Sequence, residues 1–195
     1  ATRVVLAHEL AHAVEFAQPG LIGDELFDSA ELVPPGLAVY EGAPHWVALE
    51  YLASQDQRFR DEASAHLPIF TESQVAQFGP RITSYLATPY EAGPLFVDGV
   101  VDALGRDEGL PRVFDEPPTT MFEVLFPSAY LDGFEIEAPQ LAVLDSSDVV
   151  WDGSLGAGVL LLAIADGPRY LEQLDLVDAW RGDHFQLHET PVGVC

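Results

Sequence analysis

The chain contains no lysine, and its eight basic residues are all arginine, set against 32 acidic ones for a formal net charge of −24. A surface so poor in positive charge repels nucleic-acid phosphates and anionic lipid headgroups, so both are set aside as partners. The single cysteine, Cys195, is the last residue, so no disulfide closes within the chain and cysteine usage does not decide the compartment. No apolar run reaches the length of a bilayer span, and the longest candidate, over 159–165, is far too short. The sequence also lacks a signal peptide, an internal repeat, a phosphate-binding loop, a Cys-rich metal pattern and a D-x-D-x-D-G calcium loop. Its serines, histidines and aspartates do not take the nucleophile-elbow spacing of a serine hydrolase.

What is present is a globular composition. With 195 residues, 48% of them hydrophobic, the chain can bury one sizeable core, with room for a small second lobe. Its most informative stretch runs from Val5 to Val14 and contains His8-Glu9-Leu10-Ala11-His12, an H-E-x-x-H pattern inside an apolar run without Gly or Pro. Residues 2–17 therefore read as a buried helix, with apolar side chains on nearly every face, no charge competing with the histidines, and Pro19-Gly20 as its stop. On a helix, positions i and i+4 lie one above the other, so His8 and His12 present two imidazoles to one zinc ion. Glu9 sits one step round the helix, beside the metal, where a carboxylate takes a proton from a water that zinc has acidified.

Two histidines leave zinc short of ligands, and three protein ligands plus water is the usual catalytic set. Residues 37–52 read as a second buried helix carrying Glu41, a lone carboxylate among apolar residues and the obvious third ligand. Glu50 and then His45 are the next candidates. His45 shares the face of Glu41 and also suits a role behind the ligands or against substrate. Pro44 is expected to kink this helix or start it afresh, splaying Glu41 toward the metal.

Further along, residues 53–70 read as a helix tail and a connection. Thr71-Glu72-Ser73-Gln74 resembles a capping box opening a helix toward Leu86, interrupted at Pro80. Thr88-Pro89-Tyr90-Glu91 reads as another helix start, the helix running to Leu104 with Gly105 as its stop. Tyr90, Gly93 and Phe96 form Tyr-x-x-Gly-x-x-Phe, and a phenol at Tyr90 is a candidate for holding the oxyanion of a tetrahedral intermediate. Thr120-Met121-Phe122-Glu123 is a further capping box, its helix ended by Pro127, with 128–139 as loop. From Gln140 the character changes: short strands at 141–144 and 148–151, a packed helix within 153–165, an amphipathic stretch over 168–180 and an alternating strand at 184–188. His184 and His188 are candidates either for the cleft or for the polar face of that strand. Arg181-Gly182-Asp183 is taken as a chance tripeptide. The expected architecture is mainly α, a zincin-like helical core over 1–139, with a small α+β segment over 140–195 packed on it as one compact unit.

His8-Glu9-Leu10-Ala11-His12 followed by Tyr40-Glu41-Gly42 resembles the gluzincin group of zinc metallopeptidases. More narrowly it resembles bacterial, largely actinobacterial, metallopeptidase-like proteins whose helix reads H-E-L-x-H-A and whose third ligand lies in an E-G-x-A segment. Tyr90, Gly93 and Phe96 match a Y-x-x-G-x-x-F helix of that group, and Ala179-Trp180-Arg181-Gly182-Asp183 is loosely similar to its late G-W-G-G-D segment. The chain departs from the pattern by placing Pro44 after Ala43, and by reading Phe126-Pro127 where the group has a His-Pro pair. The resemblance implies His8, His12 and Glu41 as zinc ligands and Glu9 as the base. Together with the acidic, lysine-free surface it implies an extracellular or cell-envelope location. Zincins also place a sheet before the metal helix, whose edge strand binds substrate backbone. The seven residues before His8 cannot build one, so an upstream segment is expected, unless the C-terminal part replaces the sheet or the cleft is incomplete.

The leading expectation is a zinc-dependent metallopeptidase acting on a peptide or protein substrate. The rival is a catalytically silent, zinc-stabilised domain that binds a protein or cell-envelope partner. A weaker third reading is a zinc hydrolase of non-peptide substrates. Cleavage preference and oligomeric state are not readable from the sequence.

Overall fold

A computed structural model describes all residues except 1, 19–20, 24–25, 65–71, 138, 140, 142–147, 166–168, 191–192 and 195. The described residues are mainly helical, with a small antiparallel sheet near the C-terminus. The first helix, α1 (Thr2–Ala17), carries the H-E-x-x-H pattern as expected. It is not a buried helix, however. Val4 is buried, but Val5, Leu6, Leu10, Val14 and Phe16 are all about half exposed or more. The apolar residues surround this helix without a preferred face, so the sequence contained no signal for which side would be covered.

The expected second helix is two. Helix α2 (Gly36–Tyr40) and helix α3 (Gly42–Ala53) meet at Glu41. Pro44 does accompany a fresh helix start, but the joint lies at Glu41, three residues earlier. Proline is tolerated in a first turn, where its missing N–H has no intrahelical partner. Helix α4 (Gln57–Ser64) occupies part of the stretch read as a connection, and its Arg58 pairs with Glu62 on the exposed face.

Helix α5 (Glu72–Phe78) is separated by Gly79, at φ 84°, from α6 (Pro80–Leu104), the longest helix. The break at Pro80 is as expected, while Thr71 of the expected cap lies outside the described residues. The expected helix start at Thr88 is corrected: α6 runs unbroken through Pro89 and Pro94. Thr88 is not a cap, and its hydroxyl donates to Ser84 O at 2.9 Å. An interior proline costs an isolated helix about 3 kcal/mol. Here Ala92, Phe96, Val97 and Val100 form a buried stripe in the main core that holds the helix through both prolines. Fully burying a side chain the size of Phe96 is worth about 1.5–3 kcal/mol, so the stripe outweighs the lost hydrogen bonds.

Gly105, at φ 83°, ends α6 as expected and leads straight into α7 (Arg106–Asp115). The capping box at Thr120 is complete. Thr120 Oγ1 accepts from Glu123 N, and the Glu123 carboxylate accepts from Thr120 N at the head of α8 (Met121–Leu125). The expected loop after Pro127 is corrected as well. Residues Pro127–Asp132 form α9, with Pro127 in the first turn and Gly133 in the left-handed region at its end.

Strand β1 (Asp148–Gly153), helix α10 (Gly156–Ile164) and strand β2 (Phe185–Thr190) match the expected C-terminal elements, and a short β3 (Gly193–Val194) completes the sheet in the order β1-β2-β3. Val149 faces His188 and Trp151 faces Leu187, with a bulge between Val149 and Trp151. The expected strand at 141–144 lies almost wholly outside the described residues. The amphipathic stretch holds two 3-10 turns, Tyr170–Glu172 and Leu174–Leu176. Ala157, Leu161, Tyr170 and Val177 join the same core as Val39, Phe96 and Val124, so the C-terminal segment shares the core of the rest. Asp183 of the chance-looking tripeptide has a structural task. Its carboxylate accepts from Ser154 Oγ, Leu155 N, Gly156 N and Trp180 Nε1, fixing the entry to α10. No described helix is long and apolar enough to cross a membrane.

Candidate metal centre

Two elements build the site. Helix α1 supplies His8 and His12 on one face, their ring centroids 4.7 Å apart. The joint between α2 and α3 supplies Glu41. At φ −93° and ψ −30° it stays near helical geometry, while the change of helix there turns its carboxylate toward α1. Glu41 Oε2 lies 3.5 Å from His8 Nε2 and 3.4 Å from His12 Nε2. The three residues are half-buried and their donor atoms fall within 4.8 Å of one another, a group that can hold a metal ion.

The donor set fits such an ion. Two ligands of a tetrahedral zinc bound at 2.0–2.1 Å stand about 3.3 Å apart, close to the two spacings seen here. Burial acts to raise the Glu41 carboxyl, but hydrogen bonds with His8 and Tyr90 and the charges of His12 and His8 outweigh it, leaving Glu41 below its ordinary value. It is therefore ionised at neutral pH, the form a metal requires. His8 Nδ1 is buried with no hydrogen-bond partner among the described residues.

The joint depends on close backbone contact. Gly42 of α3 and Gly93 of α6 abut so tightly that a Cβ on Gly93 would sit 2.4 Å from Ala38 O and 2.7 Å from Gly42 Cα. This is what the glycine of the Tyr-x-x-Gly-x-x-Phe pattern does: it lets α6 press against both short helices beside Glu41. One turn earlier on α6, Tyr90 shares a hydrogen bond with Glu41. Burial, with Glu41 and its negative charge next, pushes the phenol up to about 12.

The remaining expected residues fall as follows. Glu9 is exposed on α1, near enough that its charge bears on both Tyr40 and Tyr90. His45 lies beside His8 and Tyr90, with ring centroids 5.9 and 6.3 Å away. Burial and then the His8 charge hold its imidazole below the usual range, so it is neutral at pH 7. His45 is behind the three-donor group rather than in it. Glu50, the alternative ligand, is exposed and paired with Arg106 at 2.6 Å. His184 and His188 belong to the sheet: His184 Nε2 contacts Asp152 Oδ1 at 3.1 Å, and His188 Nε2 contacts Gln186 Oε1 at 3.2 Å. The sheet is not among the elements packed extensively on α1, which rests chiefly on α3.

One residue escaped the sequence reading. Glu15 is an acidic group beside the site, contrary to the expectation that none lies there. Its Oε2 lies 3.1 Å from His12 Nδ1, and the residue is only 6% exposed. Burial, followed by the charge of Glu41, pushes its carboxyl up to about 8. The available signal was its spacing, three residues after a ligand and so on the same helix face. Tyr40 closes the other side of His12, with ring centroids 4.8 Å apart.

No protein-family model, curated protein or solved structure matches the chain.

Proposed function

We propose that this chain is a zinc-dependent metallopeptidase, with His8, His12 and Glu41 as the metal ligands and Glu9 as the general base. The observation that carries the reading is the convergence of two imidazoles and a carboxylate from separate elements, with Glu41 3.5 and 3.4 Å from the two histidines and Glu9 exposed on the same helix. When bound, zinc supplies Lewis-acid polarisation and lowers the pKa of water to near neutrality. Glu9 accepts a proton from the water that attacks the peptide carbonyl, then delivers it to the amine nitrogen as the C–N bond breaks. His45, neutral and half-buried, lines the side of His8. Tyr90, which interacts with Glu41, would turn its hydroxyl toward the oxyanion that forms on the carbonyl carbon.

The test begins with metal content by plasma mass spectrometry on the wild-type chain and His12→Ala, followed by a peptide-library assay with Glu9→Gln. One zinc per chain, lost in His12→Ala, together with cleavage reduced about 10²- to 10⁴-fold in Glu9→Gln at unchanged zinc content, is the expected result. Zinc in neither protein refutes the reading.

A specific observation favours the rival, a silent zinc-stabilised binding domain. The stripe of Val5, Leu6, Leu10 and Val14 leaves one side of the metal helix apolar and open to solvent. Under that reading His12→Ala lowers thermal stability while Glu9→Gln changes nothing.

A further inference from the structure

We infer that Glu15 is a positioning residue for the metal centre: it holds His12 through Nδ1 so that Nε2 faces the ion. This deepens the metallopeptidase reading and rests on it. Helix α1 inverts the usual pattern at its end, burying Glu15 while Val14 is 59% and Phe16 64% exposed. Burying a polar carboxyl group is costly unless it is hydrogen-bonded. Among the described residues Glu15 has one such contact, the 3.1 Å approach of Oε2 to His12 Nδ1. The opposite ring nitrogen, Nε2, is the one 3.4 Å from Glu41.

An imidazole that donates from Nδ1 to a carboxyl oxygen keeps its Nε2 lone pair free for a metal. The same contact fixes the ring's rotation, since Tyr40 packs against the ring and Glu15 anchors its edge. The acceptor also makes the imidazole a stronger ligand, because charge drawn toward the ion is replenished through the Nδ1–H bond. His8 has no such support among the described residues, where its buried Nδ1 finds no partner. The two histidines are therefore unequal ligands, and His12 is the one that the fold has pre-set. The spacing i to i+3 within one helix keeps the pair together irrespective of movement between helices.

The experiment measures zinc affinity of the full chain by chelator competition, for wild type, Glu15→Gln and Glu15→Leu, with melting temperatures of the metal-free proteins and visible spectra of the cobalt-substituted ones. The leucine variant removes the acceptor at similar volume, and the glutamine variant keeps an uncharged one. Zinc affinity is expected to fall about 10- to 100-fold in Glu15→Leu and several-fold in Glu15→Gln. The cobalt absorption band shifts in both, and the metal-free leucine variant melts no lower than wild type because a buried carboxylate is gone. Affinity that is unchanged in Glu15→Leu overturns the inference. So does an affinity loss that tracks an equal fall in metal-free stability, which marks a merely structural role. Should the leucine variant not fold, unchanged affinity and cobalt spectrum in Glu15→Gln overturn it equally. A wild-type chain that takes no zinc removes the metallopeptidase reading and this inference together. Zinc lost in His12→Ala but kept in full by both Glu15 variants removes the inference alone.

Discussion

Replacing Gly93 by alanine tests whether the α2–α3 joint is set by its contact with α6. The added Cβ would lie 2.4 Å from the Ala38 carbonyl oxygen and 2.7 Å from Gly42 Cα, both of them backbone atoms. Neither can rotate away as a side chain would, so α6 has to withdraw by about 1 Å to restore ordinary contact. Overpacking of this kind costs about 2 kcal/mol. At this chain length that corresponds to a melting temperature lower by about 4–8 °C. Glu41 lies between the two elements that are pushed, so its carboxylate moves relative to α1 and zinc affinity falls as well. The assay is a thermal melt of the metal-free protein with a zinc titration of the same preparation. Leu95→Ala, at an exposed site on the same helix, serves as the control with little change in either. A Gly93→Ala protein that melts within about 1 °C of wild type and binds zinc equally well would show that the helices yield there, and the reasoning would be wrong.

Three further outcomes are expected. Glu31 is buried, its carboxylate accepts from Met121 N, and burial pushes its carboxyl up to about 7, with the charges of Asp183 and Glu123 adding to the rise. A folded-state value above the ordinary 4.5 means that folding favours the protonated form, so stability is lost as pH rises from about 4.5 to 7. Glu31→Gln should therefore gain in melting temperature over wild type between pH 5 and pH 8, and a pH-independent difference between the two proteins would contradict the account. Thr120→Ala removes the cap of α8 and should cost about 1 kcal/mol, read as a midpoint shift in urea unfolding; an unshifted midpoint would mean that the capping box contributes nothing. Tyr90→Phe should lower kcat about 10²-fold with KM little changed if the phenol serves the oxyanion, whereas equal kcat would confine Tyr90 to its hydrogen bond with Glu41.

Much of the site was legible because its determinants are local. His8 and His12 are one helical turn apart, and no tertiary information is needed to bring them together. The Thr120 box is likewise closed within four residues. Glu41 was legible as an isolated acid in apolar surroundings, but the joint that aims it was misplaced at Pro44, because a proline inside a first turn and a proline that breaks a helix look alike in sequence. The false start at Thr88 has the opposite cause. Its local signals are genuine, but the buried stripe from Ala92 to Val100 overrides them, and the stripe stabilises only when α2, α3 and the C-terminal segment are in place. Glu15 was missed because no motif includes it and its burial arises from packing. The open face of α1 was illegible for a related reason: a helix apolar all round does not reveal which side its neighbours cover.

The small apolar cluster under α1 has a consequence for the order in which the molecule comes apart. Val4 packs with Ala48, Leu52 and Ala63, apart from the main core that holds α6. Local openings cost least where few apolar contacts must be broken, so amide protons along α1 should exchange at lower free energy than those in the middle of α6. An ion bridging His8 and His12 to Glu41 would fasten that helix across the gap, raising its protection in proportion to the logarithm of metal concentration. Withdrawal of the ion would then register first as exchange and proteolytic nicking along α1, while the main core stays closed, and metal retention and the integrity of this one helix become a single equilibrium.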